Sequence, residues 1–146
     1  MTRHNAANPT PDERILQGGR AKAYRPLPPA ARREAFEAGL AAYANDDFFE
    51  AHERWEPAWM GTRDLSEREL IQGLIKLAAA FVHQARGNPA GIEKNLRGAR
   101  ERIEAGTSAG PALGIDARAL LETIDAWFAA PVGPPMPIPR ITRPNT

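Results

Sequence analysis

The chain has no cysteine in its 146 residues. That excludes a disulfide framework and any thiolate metal site. It has no run of about 18 apolar residues and no apolar leader, so neither a membrane-spanning helix nor a secretory signal is expected. Lysine is scarce, so most of the 19 basic side chains are arginine, and they are balanced by 18 acidic ones. A net charge of +1 leaves no global field to draw the protein to nucleic acid or to a membrane surface. The expectation is a soluble, cytoplasmic protein with neither as partner. No segment shows the two-residue alternation of a half-buried strand.

What is present is helical periodicity. The length suits one domain, and the chain divides into an extended arm over 1–28, a helical domain over 29–130 and a proline-rich tail over 131–146. The predicted fold class is all-α, with about five helices packed as hairpins. Within the arm, the stretch from Pro11 to Leu16 suits a short helical turn. Helix one opens near Pro29, carries Phe36, Leu40 and Tyr43, and ends at Asn45. Helix two opens on Asp47 with Glu50 three residues on, a variant of the capping box. Pro57 should kink or break it. Helix three opens on Ser66, with Glu69 completing a box and Leu65 and Leu70 at staple spacing. Its wide apolar face marks it as the central helix. Gly87, Asn88 and Pro89 form a compact joint: a terminator, a cap and a first-turn proline. Helix four carries Ile92, Leu96, Ala99 and Ile103, and Gly106 should stop it. Asp116 caps helix five. Val132, Met136, Ile138 and Ile141 could pin the tail along the body.

Helix two carries the most unusual pattern. At about 100° per residue, Phe48, Phe49, His52, Trp55, Glu56 and Trp59 share an arc of roughly 120°. Four of these are aromatic, and the exceptions are His52 and Glu56. A carboxylate and an imidazole buried together are costly unless paired. Their spacing also lets them chelate one ion from one helix face. The spacing of each hairpin is distantly similar to a tetratricopeptide unit. His52 stands where that repeat wants a small residue, and Glu56 where it wants an aromatic.

Phe49-Glu-Ala-His-Glu53, Trp59, Gln72-Gly-Leu-Ile75, Ala78-Ala-Ala80, His83 and Gly87-Asn-Pro89 together resemble the family called domain of unknown function 309. Its hallmark is a His, three residues, a Glu, two residues, then Trp or Tyr, here His52, Glu56 and Trp59. The resemblance implies a compact all-helical bacterial or archaeal protein, and it suggests a motif that binds metal. It brings no activity. Pro57 inside the motif and Lys76, where relatives often carry an amide, depart from the pattern.

Two readings remain open. In the first, one divalent metal ion is held by His52, Glu56 and His83, with Phe48, Trp55, Trp59 and Gln72 lining the pocket. Gln72 could replace His83 but not join it, because eleven residues of helix separate them by about 16 Å. If there is enzymatic chemistry, Glu53 is the candidate base beside a metal-bound water. In the second, His52 and Glu56 are a structural core pair within a metal-free helical interaction module. Such a module would bind a peptide, a small molecule or a second copy as a homodimer. Losing either member of a buried pair would then cost about 2–3 kcal/mol.

Overall fold

The computed structural model describes residues 14–17, 20–130 and 137–143, with side chains described from Tyr24 onward. The body is all-α and contains five helices among the described residues: α1 (Pro29–Ala44), α2 (Phe48–Met60), α3 (Leu65–Ala85), α4 (Pro89–Thr107) and α5 (Ala117–Ala129). Ahead of them lies a small antiparallel ribbon, β1 (Arg14–Gln17) paired with β2 (Arg20–Ala23). It replaces the helical turn expected near Leu16. Backbone pairing between the two segments satisfies groups that an isolated turn would leave to water.

Helices α1 to α4 run as successive hairpins, with α3 at the centre. Its Leu70, Leu74, Leu77, Ala78 and Phe81 are buried. The largest interface is α3 against α4. Two glycines allow it: a Cβ at Gly73 would stand 2.9 Å from the backbone nitrogen of Ile103, and one at Gly106 would stand 2.6 Å from that of Leu70. Gly106 is therefore a close-approach residue, not a helix stop, and α4 continues to Thr107.

The joint between α3 and α4 forms as its sequence suggests. Gly87 takes φ +67°, which favours glycine. Asn88 N–H donates to the His83 carbonyl and Gly87 N–H to the Gln84 carbonyl, the pairing of a Schellman end. Asn88 then accepts from Gly91 N–H.

Other helix ends differ from expectation. The cap of α3 is Asp64, whose carboxylate accepts from Glu67 N–H, and not Ser66. Glu69 instead pairs with Arg102 on α4, and Leu65 is 63% exposed, so no staple forms with Leu70. Helix α2 runs through Pro57 to Met60 without a break. Asp47 caps it, while the Glu50 carboxylate turns forward to Arg54. Asp116 caps α5 as expected.

After α5 the chain returns to α1. Residues 137–143 form no helix or strand, with Pro139 fully buried and Ile138 and Ile141 packed on the core. Val132 and Met136 lie outside the described residues. Among the described residues no helix is long and apolar enough to cross a membrane.

Candidate functional site

The buried face of α2 is Ala51, Trp55, Ala58 and Trp59. With Phe48 at zero, these lie near 300°, 340°, 280° and 20°, so the face centres at about 330°. His52, Glu56 and Phe49, near 40°, 80° and 100°, occupy its flank. The aromatic residues pulled the sequence estimate toward that flank. The two alanines, which let neighbouring helices approach, set the true centre.

His52 is accordingly 29% exposed, and its Nδ1 lies 3.3 Å from a carboxylate oxygen of exposed Glu53. Phe49, 60% exposed, stacks on the imidazole with ring centroids 6.5 Å apart. Glu56 is half-buried and makes a contact of its own. Phe48 bridges two helices, edge-on to Tyr43 and tilted against Phe81. Trp55 is fully buried, and its indole N–H donates to the Phe36 carbonyl at 3.1 Å. Trp59 is buried with it.

His83 lies at the joint between α3 and α4. Its Nδ1 lies 3.1 Å from the Asn88 amide, and its ring covers Gly91 at the start of α4. Gln72 is 3% exposed, and its amide nitrogen is buried without a hydrogen-bond partner. Lys76 lies along Gly98 on the α4 side, where burial, then Arg102 and Lys94, push its ammonium below the usual lysine range. Among the described residues, no three His, Asp or Glu side chains converge as a metal ion would require.

A half-exposed pair should matter little to stability. His52→Ala is expected to change the unfolding free energy by less than about 1 kcal/mol in urea titration. A loss of several kcal/mol would restore the buried core pair.

Two clefts lie around α1. Neither is lined by Phe48, Trp55, Trp59 or Gln72. The first, about 390 Å³, is bounded by the start of α1, the end of α2 and the start of α3. The second, about 340 Å³, lies between Leu40, Tyr43 and Ala44 on α1, Ile115 before α5, and Ile141 of the tail. The tail crosses this region. The Tyr43 hydroxyl donates to the Pro139 carbonyl at 2.8 Å, with both residues buried. Asp116 N–H donates to the Thr142 carbonyl at 2.8 Å. Arg140 pairs with Asp46, and Arg143 with Glu37. These two ion pairs are exposed and contribute little; the buried contacts hold the segment. Sequence reasoning placed Ile138 and Ile141 against the body but missed Tyr43 as the partner of Pro139. A tyrosine in a stripe otherwise filled by Phe and Leu is the signal, because a buried phenol needs an acceptor.

Comparison with known proteins agrees with the motif. The chain is 31% identical over 86 residues to the uncharacterised protein YpuF of Bacillus subtilis (strain 168). That match covers 59% of this chain and 49% of the relative, so the chain spans about half the length of the curated protein it matches. No solved structure matches. A family model described as Domain of unknown function (DUF309) matches residues 36–95, the stretch that holds His52, Glu56 and Trp59, and the family resemblance read from that motif is thereby shown.

Proposed function

We propose that the protein is a helical interaction module whose groove along α1 takes an extended, proline-containing segment. His52 and Glu56 then belong to the scaffold. The observation that supports this best is the buried pair of Tyr43 and Pro139, in which a phenol reads a backbone carbonyl 96 residues away. Proline has no N–H to donate, so a proline-rich strand is recognised through its carbonyls and apolar faces. The groove offers one fixed donor, Tyr43, and the Asp116 N–H as a second. The chain's own tail fills the seat in cis. A segment of like chemistry fills it in trans, and exchange of tails between two copies would give a homodimer.

Two substitutions on the tail, Pro139→Asp and Ile141→Asp, should unseat it and leave the α1 and Ile115 side of the groove unchanged. A synthetic peptide of residues 137–143 is expected to bind this variant with a Kd on the order of 10–100 µM. Its apparent affinity for the native chain should be more than about tenfold weaker, because a tethered tail competes at an effective concentration near millimolar. No saturable binding to the folded variant, in fluorescence anisotropy, would remove the reading.

A further inference from the structure

The first cleft combines an apolar floor with an arginine rim. Phe36, Ala58 and Ile71 are buried residues that line it. Arg32, Arg33 and Arg143 also line it, against only two carboxylates, Glu37 and Glu67. These cations are not equally engaged. Arg143 is paired with Glu37. Arg32 donates one N–H to the Leu27 carbonyl, a neutral acceptor. Exposed Arg33 has no hydrogen bond or ion pair among the described residues. Beside them Leu113 holds φ +55°, a left-handed conformation that a branched side chain seldom adopts. Strain of this kind concentrates where a ligand is clamped.

We propose that this cleft binds a small amphipathic carboxylate, with its apolar body on Phe36 and Ile71 and its head between Arg33 and Arg143. A volume of about 390 Å³ lies at the small end of ligand pockets. The fork of a guanidinium matches the two oxygens of a carboxylate. The surplus of cations favours an anion over a neutral or basic ligand of the same size. Arg143 arrives on the tail, so a seated tail completes the site. The ligand head then competes with Glu37 for Arg143, which gives the site a distinctive response: removing the Glu37 charge should tighten binding.

Octanoate and octanol, titrated into the full chain and followed by NMR, provide the test. Octanoate is expected to shift the signals of Phe36, Ile71 and Leu113 saturably, with octanol about tenfold weaker or worse. Arg33→Ala, at an exposed position, should weaken octanoate about fivefold without affecting the fold. Glu37→Gln should tighten it by a few-fold. Equal binding of octanol, an unchanged affinity in Arg33→Ala, or weaker binding in Glu37→Gln would each overturn the proposal. The native tail stays seated throughout, so this outcome is separable from that of the peptide titration.

Discussion

Gly106→Ala is expected to destabilise the protein by about 3 kcal/mol, the upper range for overpacking a tight contact. The same change at Gly98 should be neutral or stabilising by up to about 1 kcal/mol, the intrinsic gain of alanine over glycine in a helix. Both residues lie in α4 and face α3. They differ in what a new Cβ would meet. At Gly106 it meets backbone, the Leu70 nitrogen at 2.6 Å and the Ser66 carbonyl oxygen at 2.7 Å. Backbone in a helix cannot swing aside, so the two helices must separate and lose contact along their largest interface. At Gly98 it meets the Lys76 side chain, first Cδ at 2.9 Å. A lysine stem can change rotamer, and its head gains solvent by doing so. Equilibrium unfolding in urea of the two variants decides the matter. Equal and small effects would mean that α3 and α4 are not in close contact at Gly106.

Tyr43→Phe should cost about 2 kcal/mol, because the buried Pro139 carbonyl is left without a donor. The ring itself remains, with its packing on Phe48 and Trp55. A pH signature separates this loss from a packing defect. Burial raises the Tyr43 phenol well above its ordinary value of 10.0, while Arg140 opposes and Asp46 adds to the rise. Above about pH 10 the unfolded chain releases this proton and the folded chain keeps it. The associated stability is present below that pH and lost as pH rises past it. Native protein should therefore lose stability more steeply in alkali than Tyr43→Phe, and parallel curves would contradict the burial of the phenol.

Most of the architecture was legible because helix signals are local. Asp47, Asn88 and Asp116 each cap the helix they were expected to cap. Ser66 failed because Asp64, two residues earlier, offers a carboxylate at a helix N-terminus, where negative charge is favoured. The β ribbon was invisible because its strands are only four residues long, and β1 puts Ile15 and Leu16 side by side without alternation. The flank of α2 was misjudged for a related reason. Side-chain size identifies apolar residues, but small alanines decide how near the next helix comes. Ala51 and Ala58 turn the buried face away from His52 and Glu56. The clefts around α1 were out of reach, because they join residues such as Arg33, Ala58 and Arg143 that only tertiary packing brings together.

Where the segment binds is the most direct test of the interaction-module account. A peptide of residues 137–143 carrying a nitroxide at its end, added to the Pro139→Asp, Ile141→Asp chain, should broaden amide signals of Leu40, Ala44 and Ile115 along the α1 groove. Broadening centred on Phe49 and His52 instead, or spread without focus over the surface, would contradict it.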